Sequence, residues 1–357
     1  MKISFILPIY STKPVGGYKV VYEYANNLIM LGHDVSIIHP CVYPVCSNNF
    51  GEQFKNKLKL LRNESIYQKV NWENVDSKVQ ILHVPDLKAI YIPEADVIIA
   101  TAWKTAELAA EYPDSKGRKY YLIQHYETWD GPEEMVNATW RSPLKKVVIA
   151  KWLYAKGLEL GVNETDMVHI PNGIDIKKFN VYRDIKKREQ CVSMLYSNLD
   201  WKGSEDGIRA LQMAKENHPK LKAKLFGTVP KPSSLPEWIE YFKNPRKDVL
   251  INEIYNDSSI YLCPSWMEGW GLPPAESMAC GCAVVSTDNG GIKDYAIHEQ
   301  TALLSTVRVI SGLAFNLNRL LDDDLLRSEI AMRGHKNIQN FTWEKATDKL
   351  VDFISKT

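Results

Sequence analysis

Two carboxylates, Glu268 and Glu276, stand on either side of a turn that reads EGWGLPPAE. The turn follows IYLCPS, which reads as a strand, and leads into PPAESMAC, which reads as a helix with proline in its first turn. A helix start exposes backbone N–H groups and the positive end of a dipole, so the place suits phosphate. Gly269 and Gly271 carry no Cβ, which lets an anion come close to their amides. A carboxylate repels phosphate, so two of them beside such a nest need another partner. Sugar hydroxyls supply one, because a carboxylate accepts from both members of a vicinal diol. The pair therefore points to a molecule with a sugar at each end of a diphosphate, the shape of a nucleotide sugar. For an arbitrary pair of glutamates, a helix residue favoured by the dipole and a solvated loop charge would suffice. The glycines and the preceding strand shift that balance.

GWGLPP also resembles the G-x-G-x-x-G fingerprint of dinucleotide-binding folds, with Asp288 near the end of the next strand where a ribose-binding acid would stand. Pro274 occupies the third glycine position, where it hinders close helix–strand packing. The motif also falls late in the chain rather than after its first strand. Both points disfavour a dehydrogenase.

The elements that would position these residues form two successive series. KISFILP reads as a first strand, followed by a turn at Gly16-Gly17, a helical pattern over 18–31 and a strand over 34–38. Further strands are expected over 96–101, 119–124, 146–150 and 166–171. Between 42 and 93 the pattern loosens and no element is assigned. A second series starts near Cys191 with CVSMLYS, a helix from Glu205, KAKLFGT, a short helix near Tyr255, IYLCPS, the turn, CAVVST and TALLS. Helices are expected from about Val309 and Leu325, and a last one from Trp343 to the end. Strands alternating with helices imply α/β, doubly wound, mainly parallel sheets. We expect residues 1–172 and 173–342 to form two Rossmann-like domains facing a central cleft, with the helix over 343–357 packing back on the first. Ligands of such sheets bind beyond the carboxyl ends of the strands.

Bulk properties agree with this plan. A chain of 357 residues, 45% hydrophobic and 24% charged, is too long for one comfortable core. Its net charge of +1 gives no reason to expect nucleic acid. The start MKISFILPIYS has an apolar run too short for a signal peptide and no small-residue cleavage site, so a cytoplasmic protein is expected. Six cysteines, at 41, 46, 191, 263, 280 and 282, match no zinc or CxxC spacing and read as reduced, mostly buried thiols. The Asn-x-Ser/Thr triplets at Asn63 and Asn137 carry no weight without a secretory signal.

The segment PSWMEGWGLPPAESMACGCAVVSTDNGG resembles the signature of retaining glycosyltransferases of family 4, which have the two-domain GT-B fold. Gly16-Gly17 followed by a helix and GHDV, IPNGID with Phe179, and WKG at 201–203 match the same pattern. The resemblance implies roles by position. Glu276 would bind the ribose hydroxyls, and Glu268 would contact the transferred sugar. The backbone of Gly269, Trp270, Gly271 and Leu272 would hold sugar and phosphates. Gly16 and Gly17 would bring an amide to the diphosphate, His125 would reach the donor sugar near the reacting carbon, and Lys202 would neutralise the leaving diphosphate. Taken singly, the glycine pair reads as loop punctuation, Lys202 as a solvated lysine and His125 as structural; their joint fit favours the functional reading.

One departure stands out. Family members have an arginine ahead of the lysine, and here LYSNLDWKG has Ser197 and Asn198 in that neighbourhood. The resemblance implies transfer of a hexose-type sugar with retention, through same-face attack in which a leaving phosphate oxygen takes the acceptor proton. Glu268 is then neither nucleophile nor general base. No metal or other cofactor is expected. The run Asp322-Asp323-Asp324 contains an Asp-x-Asp spacing, but it falls between two helical patterns and reads as a cap. The acceptor class implied is a glycan or a lipid-linked sugar in surface polysaccharide synthesis. Basic-apolar stretches at 54–62 and 141–157 have the composition of a membrane-surface helix, which would allow peripheral contact at the inner membrane face, but solvated lysines on an ordinary helix or strand end are the favoured reading of both. The alternative reading is a non-catalytic GT-B protein that binds a nucleotide and acts as scaffold for another transferase.

Overall fold

The computed structural model describes residues 1–41, 70 and 72–356. They fold into two compact units, Met1–Pro171 with Trp343–Thr357, and Asn172–Thr342.

The first unit is built on a parallel sheet of β1 (Lys2–Ile6), β2 (Asp34–Pro40), β3 (Gln80–Val84), β4 (Val97–Ala100), β5 (Arg118–Ile123), β6 (Lys145–Val148) and β7 (Met167–His169). Their order is β3-β2-β1-β4-β5-β6-β7, so the chain reverses direction across the sheet between β1 and β4. The inner strands are apolar runs buried on both faces, as Val97, Ile98, Ile99 and Ala100 show. Around the sheet lie α1 (Gly16–Met30), α2 (Trp103–Ala110), α3 (Glu133–Arg141) and α4 (Lys151–Glu159). α9 (Trp343–Lys356) belongs to this unit: Trp343 packs edge-on against Tyr24 with ring centroids 5.5 Å apart, and Arg118 donates to Ile354 O at 2.7 Å.

The second unit has a six-stranded parallel sheet, order β10-β9-β8-β11-β12-β13. Its strands are β8 (Cys191–Leu195), β9 (Lys222–Gly227), β10 (Ile239–Lys243), β11 (Ile260–Cys263), β12 (Ala283–Thr287) and β13 (Ala302–Ser305). Here the chain reverses between β8 and β11. The helices are α5 (Ser204–Asn217), α6 (Leu272–Ala279), α7 (Ile310–Asp322) and α8 (Asp324–Ile338). Met194, Leu211, Leu225, Leu262, Val285 and Leu317 lie in its fully buried core.

Several expectations are corrected here. Gly16-Gly17 does not form a turn before a helix; the pair opens α1, and Val15 O accepts from the amides of Tyr18 and Lys19. β3 falls inside the stretch to which no element was assigned, and β10 was not anticipated. Residues 141–157 run from the last residue of α3 through β6 to α4, in line with the expected strand over 146–150, and Lys146 is buried, its ammonium pushed down to about 8 by burial. The stretch at 54–62 lies outside the described residues, as does Cys46. The other five cysteines are free thiols, and of these only Cys41 is not buried. Asp323 caps α8, accepting from Leu326 N at 2.9 Å. Among the described residues, no helix is long and apolar enough to cross a membrane.

Candidate active site

In open parallel sheets, the crevice where strand order reverses is the usual ligand site. In the second unit that crevice lies between β8 and β11, and a candidate residue comes from the loop after each strand. Lys202 ends the helical turn Asp200–Lys202 that follows β8. Glu268 lies on the loop after β11. Lys202 Nζ donates to Glu268 Oε1 at 2.8 Å and to Oε2 at 2.9 Å. Ser265 Oγ donates to Oε1 at 2.8 Å. Both Lys202 and Glu268 are largely withdrawn from solvent, with side chains 23% and 11% exposed, so the pair is a held contact rather than a loose surface bridge.

The backbone is equally constrained. Glu268 N donates to Asn289 O at 3.0 Å, and Trp266 N donates to Trp201 O at 2.7 Å. Gly291 lies flat against the Glu268–Gly269 peptide: a Cβ there would fall 2.6 Å from Gly269 O and 2.7 Å from Glu268 O.

Gly271 takes φ +87° and ψ 73° at the start of α6, a left-handed conformation that favours glycine. Tyr295 Oη donates to Gly271 O at 2.7 Å and fixes the turn from behind. Glu276 lies in α6 and is only 4% exposed. Tyr255 Oη donates to its Oε2 at a long 3.4 Å; burial first, then the charge of Glu276, hold the tyrosine protonated well above its ordinary range. The indole of Trp270 is core, packed on Tyr295 and Phe341 with centroids 4.7 and 5.9 Å apart. Only its backbone is left for a ligand. Beside Glu268 lies a small recess with Lys202, Ser265, Pro273 and Pro274 in its wall.

In the first unit, Gly16 opens α1 with nothing within 4 Å of where a Cβ would be, which leaves its backbone approachable. Gln124 Nε2 donates to Gly17 O at 3.1 Å. That bond ties the helix start to the residue preceding His125, just past β5. His125 Nδ1 accepts from Tyr126 N at 2.9 Å, so the proton of the neutral ring sits on Nε2. The ring meets Trp129 and Trp152 edge-on at 4.5 and 5.6 Å. Two residues on, Glu127 accepts from Trp103 N at 2.8 Å. Its carboxyl is pushed up to about 7 by burial, with Asp130 adding to the rise and the Trp103 amide and Lys104 opposing it.

The structure thus gathers Glu268, Lys202 and the 269–272 turn in one unit, and Gly16, Gly17 and His125 in the other. Sequence reasoning missed Ser265, Asn289, Gly291 and Tyr295, which hold the turn, and Glu127, which pins the loop after His125. The DNGG run after CAVVST was a usable signal for Asn289 and Gly291; nothing local marked Tyr295. Among the described residues, no group of three or more His, Cys, Asp or Glu is arranged to hold a metal ion.

The family comparison falls on the second unit. Residues 179–337 match the family model described as "Glycosyl transferases group 1". A D-inositol 3-phosphate glycosyltransferase of Corynebacterium diphtheriae is 30% identical over 109 residues, 30% of this chain and 26% of that protein. The capsular polysaccharide biosynthesis glycosyltransferase CapM of Staphylococcus aureus is 22% identical over 208 residues, 52% of this chain and 54% of that protein. The chain therefore spans from a quarter to about half the length of these curated relatives. The Anabaena protein Alr3699/HepE, solved with UDP and glucose, superposes with a TM-score of 0.75 at 16% identity, covering all of both chains. That likeness shows the fold: α/β, with the two Rossmann-like domains of GT-B glycosyltransferases.

Proposed function

We propose that this protein transfers a hexose-type sugar from a nucleotide sugar, with retention of anomeric configuration, to a glycan or lipid-linked acceptor in surface polysaccharide synthesis. The observation that carries the reading is the Lys202–Glu268 pair, spanning 2.8–2.9 Å across the strand-order reversal beside a glycine turn and the buried Glu276. The match of residues 179–337 to group 1 glycosyl transferases supports it. The UDP and glucose held by the Anabaena neighbour make UDP the first nucleotide to try.

The chemistry follows from the donors present. Departure of a diphosphate from an anomeric carbon builds negative charge on the leaving oxygens, so preorganised cations and amides are the main source of rate. An ammonium has three protons. Two of those of Lys202 are committed to Glu268, and the third serves the leaving phosphate without breaking the pair. Glu268, fixed by Lys202 and Ser265, presents its remaining lone pairs to sugar hydroxyls. Glu276 takes the ribose diol, with the backbone of Gly269, Trp270, Gly271 and Leu272 around sugar and phosphates. On the first unit, the backbone at Gly16 and Gly17 contributes amides toward phosphate, and His125 contributes an Nε2–H toward the donor sugar. No metal takes part in this scheme, and the setting is cytoplasmic, peripheral at the membrane face.

The test is a thermal-shift panel of UDP, GDP, dTDP and ADP with their sugars, with and without magnesium. Metal-independent stabilisation by one nucleotide, lost in Glu276→Ala, is expected. Donor hydrolysis that disappears in Glu268→Ala, with the fold intact, separates an enzyme from a nucleotide-binding scaffold. No shift with any nucleotide, together with no transfer, sinks the proposal.

A further inference from the structure

Arg308 stands on the loop between β13 and α7 with φ +64°. A residue with a Cβ is strained in that left-handed conformation, and such strain gathers at functional positions. The guanidinium lies over the indole of Trp266, 4.0 Å from the ring centroid. The indole is itself pinned: its Nε1 donates to Asp206 Oδ2 at 2.7 Å, and its backbone N donates to Trp201 O at 2.7 Å. Arg308 is therefore one aromatic ring away from the turn that carries Lys202. It is exposed, and among the described residues no carboxylate sits at ion-pair distance from it.

This arrangement has a chemical consequence. A guanidinium over an aromatic face is held there by cation–π attraction, which uses none of its N–H groups as hydrogen-bond donors to oxygen and leaves them for a phosphate, where the planar fork can make two parallel bonds. The contact fixes its rotamer beforehand, so less freedom is lost when an anion arrives. The loop after β8 has Ser197 and Asn198 and no arginine, while Lys202 is already neutralised by Glu268.

We propose that Arg308, held on Trp266, is an anion contact of the second unit that takes a phosphoryl group of the ligand. The phosphoryl comes either from the donor diphosphate or from a phosphate on the acceptor. Which of these it is rests on the glycosyl-transfer reading above; the anion contact rests on Arg308 and Trp266 alone.

Calorimetric titration of the full chain with inorganic pyrophosphate, UDP and uridine tests it, using wild type, Arg308→Ala and Arg308→Gly. Loss of a charge-assisted bidentate contact weakens pyrophosphate binding about tenfold in both variants, with uridine unaffected. A parallel loss for UDP identifies the donor. Unchanged UDP binding with a KM raised about tenfold for a phosphorylated acceptor, but not for its dephosphorylated analogue, identifies the acceptor. Arg308→Gly relieves the backbone strain, so it melts no lower than wild type; a lower melting temperature together with weaker binding gives Arg308 a structural role and overturns the proposal. Unchanged affinity for pyrophosphate, UDP and acceptor also overturns it, as does a wild type that binds neither pyrophosphate nor UDP. Wild type binding pyrophosphate through Arg308 while ignoring every nucleotide sinks the transferase reading and leaves the anion contact standing.

Discussion

Gly291→Ala tests whether Glu268 is held by backbone packing. The added Cβ would meet Gly269 O at 2.6 Å and Glu268 O at 2.7 Å, both backbone atoms with no rotamer to yield. Well-packed carbon contacts sit near ~3.5–4 Å, so the two loops must part by roughly half an ångström or more. Forced overpacking costs about 1–3 kcal/mol, and in a unit of this size each kcal/mol lowers the melting temperature by about 2–4 °C. A fall of roughly 2–12 °C is expected by calorimetry. The shift also carries Glu268 away from Lys202 and Ser265, so sugar transfer should fall about tenfold, given that a 1 Å misplacement costs ~100-fold. Gly16→Ala is the matched control, with open space around its Cβ and melting expected within about 2 °C of wild type. Wild-type melting and turnover in Gly291→Ala would show that the loop gives way freely, and the packing argument for Glu268 would be refuted.

Lys202→Met takes the ammonium away from Glu268 while Ser265 Oγ still donates to it, and should destabilise the chain by about 1–3 kcal/mol while abolishing transfer; a urea midpoint equal to wild type contradicts this. Ser265→Ala removes one donor to a carboxylate and should cost about 1–2 kcal/mol, with a several-fold rise in donor KM; kinetics identical to wild type would show that Ser265 does not help to position Glu268. Glu127 has a folded-state pKa near 7, raised from 4.5, so the folded chain keeps a proton that the unfolded chain has released. Its contribution is most favourable below about pH 4.5 and is lost as pH rises toward about 7, with a slope of up to ~1.4 kcal/mol per pH unit. Glu127→Gln should flatten that part of the stability profile; urea midpoints that vary with pH as in wild type refute the assignment.

The strands that were legible include inner ones with apolar runs, such as SFI of β1 and VIIA of β4, and the edge strands β7 and β13 were expected as well. Two strands were missed, β3 and β10, and both are sheet edges. An edge strand is paired on one side only and carries polar residues, as IEYFK does, so its sequence signal is weak. Gly16-Gly17 misled because a glycine pair is ordinary loop punctuation, whereas here the free carbonyl of Val15 starts a helix across it. The contact between Lys202 and Glu268 joins residues 66 apart in sequence. Spacing alone does not report such a contact; the reversal of strand order between β8 and β11 creates it. Ser265 and Tyr295 were invisible for the same reason, since their hydrogen bonds define them and their residue types do not.

That reversal also explains the charge balance of the site. The Glu268 carboxylate at the crevice is buried, and an unpaired buried carboxylate is strongly disfavoured. Lys202 resolves this, with Ser265 taking part of the remaining hydrogen-bonding capacity of Glu268. The pair is then neutral, so its attraction for a diphosphate is that of one spare N–H rather than of a full cation. Glu276 adds a further negative charge in the same unit. The start of α6 offsets roughly half a charge, which leaves the site short of positive potential for a ligand of two or more negative charges. An exposed arginine held over the ring of Trp266 is the cation that the proposed anion contact adds to this balance.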